Sequence, residues 1–395
     1  MLRVKLAWVA AAVVAIFGVV ASPAGAVSQR PVCPGPVAAG QALCSSRVVT
    51  DGKGTPQATT APKGYGPGQF RSAYALPSSA ATQQTIAIVD AYHDPNIAAD
   101  LNTYSSKFGL PLCNSANPCF QKVNQSGSAG GPFPRADSGW SLEIALDVEV
   151  AHGICPNCKV LLVEANSSSL ANLSAAVKTA ANLGATEISN SYGGSEFSSE
   201  LSETYAAPYN QPGVAVTVSS GDNGYGSFGF PAALSSVITV GGTTLNLGAG
   251  STYGSETVWS GAGSGCSLYA TAPSWQGFLE ACAGKRGTAD VAADADPATG
   301  AAVYDSVKYQ GRSGWMQIGG TSLSSPLIAG VYALAGGLPA GSTGGSALYG
   351  HLGDGSVLHD VTSGSNGSCT TIMCKGAVGY DGPTGVGTPL GIGAF

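Results

Sequence analysis

Thr85-Ile86-Ala87-Ile88-Val89 is a short apolar, β-branched run, and the stretch from Pro95 to Phe108 that follows it carries helical spacing. The same alternation recurs downstream. Lys159 to Val163 reads as a buried strand and Ser169 to Leu183 as a helix, and Thr186 to Ser191, Gly213 to Val218 and Ser236 to Val240 repeat the strand signature. Short apolar strands alternating with amphipathic helices predict an α/β fold, a parallel sheet with helices on both faces. Active sites in such sheets gather at the carboxyl ends of strands. The Gly-rich C-terminal third is expected to be loops around a late helix that starts near Pro326.

Composition narrows the class. Only 10% of the 395 residues are Asp, Glu, Lys or Arg, against roughly 25% in an ordinary soluble protein. The surface must then be built from Ser, Thr, Asn, Gln and Gly, which suggests an exported chain. A formal charge of −6 with 17 basic residues excludes a nucleic-acid partner, whose phosphates need clustered Lys and Arg. Arg3 and Lys5, the apolar run from Leu6 to Val20 and Ala24-Gly25-Ala26 form the three parts of a secretory signal over residues 1–26. No other apolar stretch is long enough to span a bilayer, so no membrane partner is expected after cleavage, and the product is expected to be a monomer. Residues 27–68 are Pro-, Gly- and Thr-rich without periodicity and read as a short, loose leader or pro-segment. One catalytic domain is expected over 69–395.

Ten cysteines in an exported chain suggest five disulfides. They fall in local couples: Cys33 with Cys44, Cys113 with Cys119, Cys155 with Cys158, Cys266 with Cys282, and Cys369 with Cys374. Nearest-neighbour pairing is the simplest connectivity. Cys155-Pro-Asn-Cys158 also has the spacing of a zinc or redox unit, with His152 as poor support for a second ligand.

The strongest chemical motif is Gly319-Gly320-Thr321-Ser322-Leu323-Ser324-Ser325-Pro326, leading into an apolar helix. Ser322 would sit at a helix N-terminus, where partial positive charge favours a developing anion. It reads equally as a capping loop until a base is found. The segment Asp137-Ser138-Gly139-Trp140-Ser141-Leu142-Glu143-Ile144-Ala145-Leu146-Asp147-Val148 supplies one. Ser138 or Ser141 can cap a helix there, which puts Glu143 and Asp147 on one face. Their neighbours are nearly all apolar, and buried acidic pairs are uncommon without a task.

These residues resemble the sedolisins, or serine-carboxyl peptidases, which share a subtilisin-like fold. The likeness covers about 69–395. Glu143, Asp147 and Ser322 match the family's Glu-x-x-x-Asp helix and its serine motif. Asp222, in Ser219-Ser220-Gly221-Asp222, is similar to its oxyanion-stabilising aspartate, and Ser191-Tyr192-Gly193 to its substrate-pairing strand. The resemblance also implies one Ca2+, held by Asp360 and Val361 and by Ala377, Gly379 and Asp381, with Ala377 replacing a usual Gly. Polypeptides are the implied substrates. The family normally carries a long folded pro-domain, whereas the leader read here is short.

The implied reaction is hydrolysis through an acyl-enzyme on Ser322. Glu143 would take the Ser322 proton, Asp147 would orient it, and protonated Asp222 would donate to the oxyanion. A carboxylate base stays competent where His would be protonated, so the expected optimum is acidic. Two rivals are kept. One is a neutral subtilase triad of Asp90, His152 and Ser322. The other is an inactive binding protein on a peptidase fold.

Overall fold

The computed structural model describes residues 27–395, so the expected signal segment 1–26 lies outside the described residues. Its centre is the expected parallel sheet. The strands run in the order Tyr253–Val258, Ile238–Leu247, Ala215–Ser219, Glu187–Asn190, Thr85–Ala91, Lys159–Ala165, Phe120–Asn124. Val291–Asp294 also pairs in parallel with Ile238–Leu247, and only the edge strand Tyr253–Val258 is antiparallel. Val, Ile and Ala fill the central strands and are buried on both faces, the pattern of a sheet covered by helices. The helices expected from Pro95 and Ser169 occupy Ile97–Phe108 and Leu170–Asn182.

Helix Ser138–Ile154 is buried along nearly its whole length. Its cap is Asp137 rather than either expected serine. The Asp137 side chain accepts the amides of Gly139 and Trp140, satisfying two otherwise orphaned N–H groups.

Three further expectations are corrected. The late helix is Thr321–Ala335, so Pro326 lies inside it rather than at its start. Pro326 has no N–H to give the Ser322 carbonyl one turn back. That carbonyl accepts the Ser191 hydroxyl at 3.3 Å instead, so the proline leaves an acceptor that ties the helix start to the link between strands Glu187–Asn190 and Tyr192–Gly193.

The C-terminal third is not only loops. Ala301–Tyr309 and Arg312–Gly319 form an antiparallel hairpin, hidden from the sequence by its polar turn and mixed composition.

The third correction concerns the segment 27–68, which is packed rather than loose. Gln29–Pro31 pairs with Arg47–Val49, Arg47–Val49 pairs with the end of Arg312–Gly319, and Ala58–Thr59 pairs with the same hairpin. Val32, Ala42 and Val48 are buried in the main core. Pairings this far apart in sequence leave no local periodicity, which is why composition misled.

All five nearest-neighbour disulfides form, and no cysteine is free among the described residues. Cys155–Cys158 is a bridge, not half of a zinc site.

Candidate active site

Ser322 is the second residue of helix Thr321–Ala335, so its N–H has no partner within the helix. The helix is entered through Gly320 at φ +105°, where a Cβ would lie 2.3 Å from the Ser45 carbonyl oxygen and 2.5 Å from Asp222 Oδ2. Only glycine permits the chain to turn here between those two groups.

Helix Ser138–Ile154 packs against this one and brings Glu143 to the serine. The Ser322 hydroxyl donates to the Ser191 carbonyl at 3.1 Å and stands near the Glu143 carboxylate without bonding it. Glu143 Oε2 accepts a short hydrogen bond from the Ser46 hydroxyl. Burial pushes the Glu143 carboxyl well up, and the Ser322 and Ser46 hydroxyls pull it partly back.

Asp147, one turn on, is fully buried, and both its oxygens lack a partner. Burial raises its pKa, as do the charges of Asp90 and Glu143; the Ser191 hydroxyl approaches it and opposes this weakly, but its proton is directed to the Ser322 carbonyl. Asp90, at the end of strand Thr85–Ala91, is likewise buried, unpartnered and raised by burial and by Glu143. Three carboxyls with no cation among them cannot all be ionised. When the chain of three carries one negative charge, it rests best on Glu143, the only one of them with a hydrogen-bonded hydroxyl donor.

Asp222 is held at the start of the same helix. Its Oδ1 accepts the Thr321 amide at 2.8 Å and the Thr321 hydroxyl at 3.0 Å, which leaves Oδ2 unpartnered beside Gly320. Burial raises its pKa to about 7, with the Thr321 amide opposing. Below that pH it carries a proton and can donate.

Tyr192–Gly193, of the Ser191-Tyr192-Gly193 run, forms a short strand. The chain's own Leu43–Cys44 pairs with it, antiparallel. A cleft of about 850 Å³ opens beside this pairing, walled by Gly193, Ser195, Ser219, Ser220 and Asp222, but Ser322 is closed off from it by Ser45 and Ser46.

The His-based triad does not assemble. Nine residues separate His152 from Glu143 along one helix, about 13 Å of axial rise. The His152 ring bonds the Pro111 carbonyl at 2.9 Å and lies against the Cys113–Cys119 bridge. Asp90 faces Glu143 and Asp147 instead.

The C-terminal set also comes together. Asp360 Oδ2 accepts the Gly379 amide at 2.9 Å and Asp381 Oδ2 the Ala377 amide at 3.0 Å. No hydrogen bond reaches the carbonyls of Val361, Ala377 or Gly379 among the described residues. Two carboxylates and three free carbonyls, on two chain segments joined by the Gly379 amide, form an oxygen-only donor set that suits a hard cation. Burial raises Asp381 to about 7, and the charge of Asp360 adds to this.

Sequence reasoning found the acids and the serine but missed three partners. Ser45 and Ser46 were hidden in the supposed leader. Asp90 carried a usable signal, a carboxylate ending an apolar strand, yet it was read only as part of the rival triad.

This combination of fold and site defines a subtilisin-type serine peptidase architecture with buried carboxyls grouped near the helix-terminal serine. The chain belongs to the Subtilase family, whose model matches residues 126–339. Its homologues include sedolisin of Pseudomonas sp. (strain 101), 29% identical over 84% of this chain and 60% of that protein. Xanthomonalisin of Xanthomonas sp. (strain T-22) is 30% identical over 86% of this chain and 46% of that protein. The chain thus spans about half the length of these relatives. A solved Pseudomonas sedolisin, described as a serine-carboxyl proteinase complexed with two molecules of pseudo-iodotyrostatin, matches with a TM-score of 0.69 at 29% identity, covering 83% of this chain and 96% of that one.

Proposed function

We propose that the protein is a secreted serine-carboxyl endopeptidase that hydrolyses polypeptides at acidic pH through an acyl-enzyme on Ser322. The observation that supports this reading is the gathering of Glu143 and Asp222 at the start of helix Thr321–Ala335, where Ser322 lies.

Ser322 attacks a peptide carbonyl as Glu143 takes its proton. Asp147 and Asp90 hold the remaining protons of the carboxyl chain, so the charge that Glu143 loses is not replaced by a second buried anion. The Ser322 N–H and protonated Asp222 donate to the oxyanion. Glu143 returns the proton to the leaving nitrogen, and water then cleaves the ester by the same route in reverse. Tyr192–Gly193 aligns the substrate as an added antiparallel strand.

Asp360, Val361, Ala377, Gly379 and Asp381 would hold one Ca2+. Its charge would offset the two carboxylates and fix the C-terminal turn. Export is supported by the sequence of residues 1–26 and by five disulfides, and no described helix is long and apolar enough to cross a membrane. The protein is read as a monomer.

The test is hydrolysis of denatured casein at pH 4 by the secreted protein. Activity present in wild type and reduced at least ~1000-fold in Ser322→Ala supports the reading. Equal inertness of both supports the binding protein.

A further inference from the structure

Four buried acids that the proposed mechanism does not use gather where helix Ile97–Phe108 meets the hairpin and helix Ser138–Ile154. Asp94 lies in the loop after strand Thr85–Ala91, Asp100 in the first turn of helix Ile97–Phe108, and Asp305 in strand Ala301–Tyr309. One carboxylate oxygen of each lies within 4.8 Å of those of the other two. Glu149 approaches from helix Ser138–Ile154, close enough for the charges of all three aspartates to act on it. All four side chains are buried.

Backbone amides fix one oxygen of each carboxyl. The amide of Asn96 donates to Asp94 Oδ1, that of Ser306 to Asp100 Oδ2, that of Val307 to Asp305 Oδ1 and that of Tyr304 to Glu149 Oε2, at 2.7–2.9 Å. The Ser306 hydroxyl adds a second bond to Asp100 Oδ2 at 2.9 Å. Asp94 Oδ2, Asp305 Oδ2 and Glu149 Oε1 are left buried with no hydrogen-bond partner. Buried carboxylate oxygens without a partner are costly, and three of them in one place call for an occupant. The neighbouring cation, Lys122, does not supply it. Its ammonium is turned to the Asp94 main-chain carbonyl at 2.6 Å and towards Glu164 at 3.9 Å. Burial raises Asp94 to about 7 and Asp305 to about 8, and the charge of a neighbouring aspartate adds to each.

The chemistry of the donors names the class of occupant. Every member of the cluster is a carboxylate, with no cysteine or histidine among them, and such a set suits a hard, oxygen-seeking divalent cation rather than a softer metal. An ion about 2.0–2.6 Å from each ligand reaches all three aspartates within the 4.8 Å limit. That limit chooses no particular ion by size.

We infer that Asp94, Asp100 and Asp305 bind one hard divalent cation of the Ca2+ or Mg2+ class, with Glu149 adding its charge beside them. The ion clamps the loop after strand Thr85–Ala91, helix Ile97–Phe108 and the hairpin to one another. It does so against the helix that carries Glu143 and Asp147, so its role is structural. None of its ligands is shared with the C-terminal turn of Asp360 and Asp381.

The experiment titrates CaCl2 and, separately, MgCl2 into purified, EDTA-stripped and desalted protein at pH 8, followed by calorimetry and by thermal melts. The protein carries Ser322→Ala, which prevents self-digestion, and Asp381→Asn, which silences the C-terminal turn. It is expected to bind one ion of at least one of the two metals, with a rise in Tm on adding that metal. Adding Asp305→Asn is expected to abolish both responses while the far-UV circular dichroism stays native. Asp94→Asn is expected to do the same and serves where Asp305→Asn does not fold. If neither metal binds the protein that retains all three aspartates, the carboxyls hold only protons and the site is overturned. An unchanged stoichiometry in the folded Asp305→Asn or Asp94→Asn protein overturns it as well.

Discussion

The backbone amide of Ser322 donates to the carbonyl oxygen of Ser45 at 2.8 Å. One hydrogen bond thus joins the proposed nucleophile to a residue that the sequence had assigned to a loose leader. It marks the oxyanion position within the molecule itself. It also explains why Ser322 is fully buried although a cleft lies beside it.

Asp222 completes that position from the side. Asp222→Asn keeps a hydrogen-bond donor but removes the titration that switches it on, whereas Asp222→Ala removes the donor altogether. Loss of one oxyanion donor costs about 100- to 1000-fold in kcat. Asp222→Ala is expected to show this loss at pH 4 with KM little changed. Asp222→Asn should retain more activity and lose less of it as the pH approaches 7. Steady-state kinetics on a peptide substrate checks both.

Pro326 and Ser191 make a second pairing that can be probed. Ser191 donates to the Ser322 carbonyl that the proline leaves unbonded. Ser191→Ala strands a buried acceptor and is expected to cost about 1–3 kcal/mol of stability. Denaturant unfolding of an inactive Ser322→Ala background, with and without the second substitution, measures it free of self-digestion.

Stability should rise, not fall, on mild acidification. Burial raises Glu187 to about 8 and Asp222 to about 7, above the value near 4 of an unfolded carboxyl. The folded protein therefore binds more protons than the unfolded chain between about pH 4 and 8. The stability these groups contribute is complete below about pH 4 and is lost as the pH climbs through 7 to 8. His152, whose pKa burial lowers, works the other way in acid, but it is one group against several. The Tm of Ser322→Ala is expected to be several degrees higher at pH 5 than at pH 8. An unchanged or lower Tm at pH 5 contradicts the burial argument.

Chelation tests the C-terminal turn. If Asp360 and Asp381 hold calcium, EDTA at pH 7 should lower the Tm, and added calcium should restore it. Asp381→Asn should abolish that part of the response. Thermal melts with and without chelator decide the point.

The sheet was legible because its strands, such as Thr85–Ala91 and Lys159–Ala165, are continuous apolar runs that bury both faces. Glu143 and Asp147 were legible because two acids in an apolar helix have few structural uses. The extent of the folded domain was not. Arg47–Val49 is a strand only because Gln29–Pro31 and Arg312–Gly319 flank it, and such long-range pairing leaves no local trace in a Pro- and Gly-rich stretch. The start of helix Thr321–Ala335 was misplaced for a related reason. Pro326 signals a first turn, yet here the missing N–H is compensated by the Ser191 hydroxyl, 131 residues from the carbonyl it serves.

The central claim is that a carboxyl, not an imidazole, activates Ser322. The pH dependence of kcat/KM on a peptide substrate, compared among wild type, His152→Ala and Glu143→Gln, tests it most directly. The account expects a maximum below about pH 5 that survives in His152→Ala and disappears in Glu143→Gln. A neutral optimum that His152→Ala abolishes and Glu143→Gln leaves intact would contradict it.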